Sequence, residues 1–329
     1  MKTAVFSTKS YDEEFFKAAN ATAGHELVFF EVRLDEKTVQ LVVGFEAICV
    51  FVNDAVNKAV IDRLADSGVK VIAMRCAGYN NVDLAHAKER GIAIVRVPAY
   101  SPYAVAEHAV ALLLALNRHL HKAYNRVREG NFELKGLMGF DFHGKTVGII
   151  GTGKIGALFA KIMNGFGCRL LAVDAYQNPD VLKLGATYVT LEEALPLSDL
   201  ISLHCPLTPD TKHLINHDRL VCMKRGVLLV NTGRGALIDT KAVIAALKSG
   251  ILGGLALDVY EEEDKLFFSD HSHEIISDDT FMRLTTFPNV LITGHQAFFT
   301  QEALTQIAEV TLGNLTEFAR TGACANIVA

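Results

Sequence analysis

Residues 145–176 read KTVGIIGTGKIGALFAKIMNGFGCRLLAVDAY, and they stand in the middle of the chain. An apolar run at 147–150 enters Gly151-Thr-Gly-Lys-Ile-Gly156. Ile155, Leu158, Phe159, Ile162, Met163 and Phe166 then recur at helical spacing, and a second apolar run at 170–173 ends on Asp174. Strand, glycine turn, helix and strand in this order specify a βαβ unit, and so a parallel sheet.

A bare G-x-G-x-x-G is a weak signal. Here a strand precedes it, a helix follows it, and an acidic residue lies 174 − 156 = 18 positions beyond the last glycine, which is the full dinucleotide-binding context. Gly151 permits the tight turn, Gly153 lets backbone approach a pyrophosphate, and Gly156 lets helix and strand pack closely. The N–H groups of Lys154, Ile155 and Gly156 open the helix and face the diphosphate. A glycine-rich turn that binds nothing is the competing reading, and the four context elements together weigh against it. Asp174 at the end of the second strand suits the ribose hydroxyls and repels a 2′-phosphate. Ala175, Tyr176, Gln177 and Asn178 include no cation to hold that phosphate, so NAD is expected rather than NADP. An aspartate that merely caps the next turn is the alternative at this position.

The 329 residues suit two domains, each able to bury its own core. Half the residues are hydrophobic and the net charge is −5 without long basic runs, which argues against nucleic acid as the main partner. Cys49, Cys76, Cys168, Cys205, Cys222 and Cys324 are far apart with mostly apolar neighbours, and are expected as buried free thiols in a reducing compartment. The start of the chain turns polar after four residues, and the most apolar stretch, 109–116, is too short to span a bilayer. A cytoplasmic protein is expected. No histidine pair has metal spacing with a supporting acid; His271 and His273 lie in a polar loop, and no metal is expected.

Before residue 100, apolar runs at 3–6, 27–30, 47–51, 69–74 and 92–95 alternate with helix-like segments such as 54–67 and 83–90. A second series runs through 147–150, 170–173, 200–203, 227–230, 255–259 and 290–292. The chain therefore holds two α/β units, with the glycine fingerprint in the second. Between them, Ser101 offers an N-cap and Pro102 a first helical residue. Val105, Ala109, Leu112, Leu116 and Leu120, with Leu113, predict one long helix over 101–126. The final helix-like segment, 301–320, would make the second unit an insertion if it returned to the first; spacing alone leaves that open.

Three polar spots follow strands of the second unit, where open parallel sheets bind ligands. In Asn231-Thr-Gly-Arg-Gly235, Arg234 can grip a carboxylate bidentately, or else pair structurally with Asp258 or a helix carbonyl. The run Asp258-Val-Tyr-Glu-Glu-Glu-Asp264 reads mainly as a solvated turn, with one acid recruited to a histidine; composition does not say which. His295 ends the third strand. Hydride transfer to a carbonyl leaves an alkoxide that needs a proton near neutral pH, and imidazole suits that task.

On these motifs the chain resembles the D-isomer-specific 2-hydroxyacid dehydrogenases, and within them the fermentative D-lactate dehydrogenases. The likeness runs essentially end to end: RCAGYNNVDL at 75–84, VPAYSPYAVAEH at 97–108, GTGKIG at 151–156, HCPLT at 204–208, NTGRGALID at 231–239, DVYEEE at 258–263 and GHQAFFT at 294–300. Many other members carry a P-H-I sequence around the histidine. The resemblance implies two doubly wound parallel-sheet domains, a flavodoxin-like substrate domain (1–100 and 299–329) and a Rossmann NAD domain (101–298), with a cleft between them that closes on a hinge. It implies a catalytic set of Arg234, Glu263 and His295, with Asp258 supporting Arg234 and the histidine beside the cofactor site. It places Ala77, Gly78, Tyr79 and Tyr100 at the substrate carboxylate and Phe298 in the pocket wall. Cys205, Pro206, Thr232 and Val105 then line the nicotinamide or ribose. Gly233 departs from the family, in which many members have Ser, and the departure is expected to loosen the loop.

The expected reaction is reversible hydride transfer between NADH and pyruvate, with Glu263 favouring protonated His295. Tyr100, Phe298 and Phe51 favour a small substrate over a bulkier branched 2-oxo acid, which is the alternative. Formate dehydrogenase relatives pair the histidine with Gln, against Glu263 here. A few family members act as NAD-sensing corepressors, but no partner-binding tail extends this chain. A homodimer or homotetramer is implied, with the 101–126 helix as a candidate interface.

Overall fold

Alternation of buried apolar strands with helices builds two parallel sheets among the described residues. The computed structural model describes residues 1–329, the side chain of Lys265 excepted. Contacts divide it into unit 1, Met1–Ser101 with Phe299–Ala329, and unit 2, Pro102–Phe298.

Unit 1 contains β1 (Lys2–Val5), β2 (Glu26–Phe29), β3 (Ala47–Val50), β4 (Val71–Met74) and β5 (Ala93–Arg96) in the order β2-β1-β3-β4-β5, all parallel. This is the flavodoxin-like order, whose switch point lies between β1 and β3. Strands β3 and β4 are buried at every residue, as a sheet covered on both faces requires. Ile48, Val50, Ile72 and Met74 pack in the core, each fully buried aliphatic side chain contributing about 1.5–3 kcal/mol. The helix Gln301–Thr321 belongs to this unit. Asn314 Nδ2 donates to the Arg96 carbonyl at 2.9 Å, and the Ile94 N–H donates to the Ala329 carbonyl at 2.9 Å. Unit 2 is thus an insertion in the chain of unit 1.

Unit 2 contains β6 (Thr146–Ile150), β7 (Arg169–Val173), β8 (Thr187–Tyr188), β9 (Leu200–Leu203), β10 (Val227–Asn231), β11 (Leu252–Leu257) and β12 (Val290–Ile292). The order β12-β11-β10-β9-β6-β7-β8 is the dinucleotide-binding 3-2-1-4-5-6 arrangement with one strand added. Successive residues of β10 face opposite cores: Leu229 packs with Leu203 and Leu255, whereas Leu228 and Val230 pack with Val147 and Ile149. Edge strand β8 has two residues and no apolar run, so periodicity does not reveal it.

The single helix expected over 101–126 is instead two, Pro102–Asn117 and Leu120–Arg128. His119 stands between them at φ 51°, a left-handed backbone that ends an α-helix. Just before it, buried Asn117 turns its amide to the Phe140 peptide, donating at 2.6 Å and accepting at 3.1 Å. Leu120, the last member of the expected apolar stripe, is 54% exposed. Of the cysteines, Cys222 departs from expectation by being exposed and Cys205 is only partly buried. Among the described residues no helix is long and apolar enough to cross a membrane.

Candidate active site

The glycine turn can be tested atom by atom. Gly151 has φ 94°, and a Cβ there would lie 2.5 Å from the Cys205 nitrogen. A Cβ on Gly156 would lie 1.9 Å from the Gly151 carbonyl oxygen, so helix Lys154–Gly165 reaches the strand only with glycine at that position. Gly153 is different: a Cβ there meets nothing within 4 Å. The first two glycines are demanded by packing against protein, whereas the third keeps the backbone bare toward open space, as an approaching ligand requires. The first-turn N–H groups at Lys154, Ile155 and Gly156 lack the partners of an inner turn.

Asp174 follows β7 and is exposed. Its Oδ2 accepts the Thr152 N–H at 2.6 Å and the Thr152 hydroxyl at 3.1 Å, and its Oδ1 accepts the Tyr176 N–H at 3.1 Å. Partial burial raises its carboxyl, but these donors outweigh that and hold it below the usual range. It caps its own turn, as the alternative reading expects, and also ties down the glycine loop.

Thr232, after β10, is buried with its hydroxyl oxygen lacking a hydrogen-bond partner among the described residues. A buried orphan hydroxyl is rare without a ligand or water. Val105 is buried on the first long helix of unit 2, and Pro206 is exposed after β9. Burial pushes the Cys205 thiol up to about 11, so it is protonated at neutral pH. Bare Gly153, the open helix turn and the Thr232 hydroxyl fit a dinucleotide.

Arg234, Glu263 and His295 follow β10, β11 and β12, adjacent parallel strands about 5 Å apart. Asn231 shapes the arginine loop: its Oδ1 accepts the Gly233 N–H at 3.0 Å, and its Nδ2 donates to the Arg234 carbonyl at 2.8 Å. The guanidinium donates to the Gly233 carbonyl at 2.8 Å, with further donors in hand. Gly233 is therefore held, not loosened. A Cβ there would meet only ordinary contacts at 3.5 Å or more, so a serine fits equally well.

Glu263 Oε1 lies 2.7 Å from His295 Nδ1, and Glu263 Oε2 accepts the Tyr260 N–H at 2.9 Å. The carboxylate accepts, so Nδ1 carries hydrogen and Nε2 is the nitrogen left to exchange a proton with a ligand. His295 has φ 54°, costly for a side chain of this size. What maintains it is Asp258, wholly buried below. The His295 N–H donates to the Asp258 carbonyl at 2.7 Å, while the carboxylate accepts the Gln296 and Ala297 N–H groups, each at 2.8 Å, and the Thr293 hydroxyl at 2.6 Å. Burial raises this carboxyl, but His108, Thr293 and the two N–H groups bring it below the ordinary range. The expected support of Arg234 by Asp258 is not seen among the described residues; the carboxylate serves the histidine turn.

Sequence reasoning assigned no role to His108, whose Nε2 is 3.2 Å from Thr293 Oγ1 and 3.4 Å from Asp258. Its position one helical turn after Val105 was the available signal. Ala77, Gly78, Tyr79 and Tyr100 stand in unit 1, after β4 and after β5, and Phe298 is buried at the end of unit 2. Among the described residues no cluster of His, Cys, Asp or Glu could hold a metal ion.

Residues 110–297 match the family model described as D-isomer specific 2-hydroxyacid dehydrogenase, NAD binding domain. The chain is 53% identical to the D-lactate dehydrogenase of Escherichia coli K12 over 326 residues, 99% of each protein. The apo-structure of D-lactate dehydrogenase from Escherichia coli superposes with a TM-score of 0.92 at 51% identity, covering 100% of both chains. D-Lactate dehydrogenase from Aquifex aeolicus, complexed with NAD and lactic acid, gives a TM-score of 0.85 at 33% identity, over 97% of this chain and 96% of that one. Similarity of this extent, on a glycine turn that fits a dinucleotide, makes the chain a NAD-dependent member of the D-isomer specific 2-hydroxyacid dehydrogenase family.

Proposed function

We propose that the protein catalyses the reversible reduction of pyruvate to D-lactate. The observation that carries this reading is the 2.7 Å bond from Glu263 to His295 Nδ1, which leaves Nε2 as the proton-exchanging nitrogen, with only β11 standing between its strand and that of the arginine loop. When bound at Gly151, Gly153, Lys154–Gly156, Asp174, Val105, Cys205, Pro206 and Thr232, NADH supplies hydride to the carbonyl carbon of the 2-oxo acid. Arg234 binds the substrate carboxylate through paired N–H donors. His295 gives its Nε2 proton to the carbonyl oxygen as negative charge develops there, and Glu263 balances the imidazolium. In lactate oxidation the same nitrogen takes the hydroxyl proton. Ala77, Gly78, Tyr79 and Tyr100 add donors for the acid, Phe298 limits its size, and Asp258 orients the histidine and the cofactor site from beneath.

The test is steady-state NADH oxidation with a panel of 2-oxo acids and chiral analysis of the product. Pyruvate preferred over 2-oxoisocaproate, yielding D-lactate, supports the reading. A preference for the branched acid makes the protein a 2-hydroxyacid dehydrogenase of larger substrates, and no turnover with any 2-oxo acid overturns it. Asp174→Ala is expected to narrow the NADH-over-NADPH ratio of kcat/KM; an unchanged ratio removes Asp174 from cofactor discrimination.

A homo-oligomer in the cytoplasm is part of the same proposal. Tyr124, Val127, Phe132, Leu134 and Met138 are 54–90% exposed on one segment of unit 2, apolar side chains that a second copy would cover. Sedimentation at twice the chain mass or more is expected, and a monomer at working concentration contradicts it.

A further inference from the structure

His108 stands on the inner stripe of helix Pro102–Asn117, one turn after buried Val105 and one turn before buried Leu112. A leucine there would pack without desolvating a ring nitrogen. The histidine instead places Nε2 3.2 Å from Thr293 Oγ1 and 3.4 Å from Asp258 Oδ1, so the hydroxyl is its nearer partner. The direction of each bond follows from the group at the bottom. The wholly buried Asp258 carboxyl is held below the ordinary carboxylate range, chiefly by its hydrogen-bond donors against the pull of burial, so it is an anion and only accepts. The Thr293 hydroxyl therefore gives its hydrogen to Asp258, at 2.6 Å, and offers His108 only lone pairs. Nε2 of His108 must carry hydrogen. Imidazole donates to hydroxyl, and hydroxyl donates to carboxylate.

The same aspartate holds the turn that carries the proton donor. Three successive N–H groups end on it: that of His295 on its carbonyl at 2.7 Å, that of Gln296 on Oδ1 and that of Ala297 on Oδ2, each at 2.8 Å. This is the turn in which His295 adopts its left-handed backbone, a conformation that persists only where its surroundings impose it. Oδ1 is the shared atom, since it takes the Thr293 hydroxyl from the strand side and the Gln296 N–H from the turn. Its place is thus set through His108 and felt at residue 296. The imidazole of His295 has its own contacts, with Glu263 at 2.7 Å and the Phe268 ring at 5.6 Å between centroids. Those contacts orient the ring, whereas the Asp258 network fixes the backbone from which the ring projects.

We propose that His108 is a positioning residue for the proton donor, acting through Thr293 and Asp258 to hold the left-handed turn that presents His295 Nε2. The inference rests on the function proposed above. Its test is a double-mutant cycle of His108→Leu and Thr293→Val, with His108→Gln and His108→Asn alongside, assayed with NADH and pyruvate. His108→Leu is expected to lower kcat roughly ten- to a hundredfold, the scale on which misplacing a reacting group by about 1 Å acts. KM for pyruvate should stay within about threefold, because the Arg234 loop is shaped separately by Asn231. Thr293→Val should behave alike, and the double variant should be no worse than the worse single. The amide of His108→Gln replaces the Nε2 donor and should keep kcat within about threefold of wild type; His108→Asn, one methylene shorter, should not. An unchanged kcat in His108→Leu, a rise in KM in place of the fall in kcat, losses that multiply in the double variant, or equal activity of the Gln and Asn variants overturns the inference while wild type still reduces pyruvate. Inactivity of wild type with every 2-oxo acid overturns the underlying function instead. Should His108→Leu fail to fold, the contrast between His108→Gln and His108→Asn decides alone.

Discussion

His295→Ala is expected to lower kcat for pyruvate reduction by about two to four decades while leaving NADH affinity near that of wild type. The imidazole supplies a proton-donating Nε2 at this strand end, its Nδ1 held by Glu263 at 2.7 Å. The proton is consumed in reduction and released in oxidation, so reduction should weaken and oxidation strengthen as pH rises. The left-handed backbone at 54° is strained for alanine as it is for histidine. His295→Asn, which tolerates that conformation better, separates lost chemistry from lost structure. Near-normal pyruvate turnover in both variants, measured with NADH binding by fluorescence, contradicts the assignment.

Arg234→Met is expected to lower kcat/KM for pyruvate by a similar two to four decades. Two hydrogen bonds from a cation to a carboxylate contribute roughly 1.5–3 kcal/mol each, and about 1.4 kcal/mol is a factor of ten. Lysine should restore only part of the loss, because it cannot present a planar fork. Thermal stability should change little. The side-chain hydrogen bond of Arg234 is local, to the Gly233 carbonyl, and the loop is shaped by Asn231 instead. A large fall in Tm, with activity per folded molecule preserved, would recast the arginine as structural.

The strands were legible because each is a short apolar run closed by polar turns, and parallel sheets bury both faces of such runs. Strand β8 was not, since Thr187 and Tyr188 gain their place only by pairing with β7. The break at His119 was equally hidden, because apolar spacing continues through it. The decisive event there is the Asn117 side chain bonding the distant Phe140 peptide. In the site, glycine spacing and strand-end positions pointed to Gly151, Asp174, Arg234 and His295 from local pattern. The choice among Glu261, Glu262 and Glu263 was beyond composition and came from family resemblance. In the structure Glu263 is the acid bonded to His295, whereas Glu261 bonds His213. The buried network of Asp258, Thr293 and His108 was illegible because it joins residues up to 185 positions apart.

The central claim is that one imidazole and one guanidinium act on the same small 2-oxo acid. A crystal structure with NADH and oxamate, a pyruvate isostere, tests it most directly. The expected result has the oxamate carboxylate on the Arg234 guanidinium and its carbonyl oxygen within hydrogen-bonding distance of His295 Nε2. Oxamate bound with neither residue in contact would contradict it.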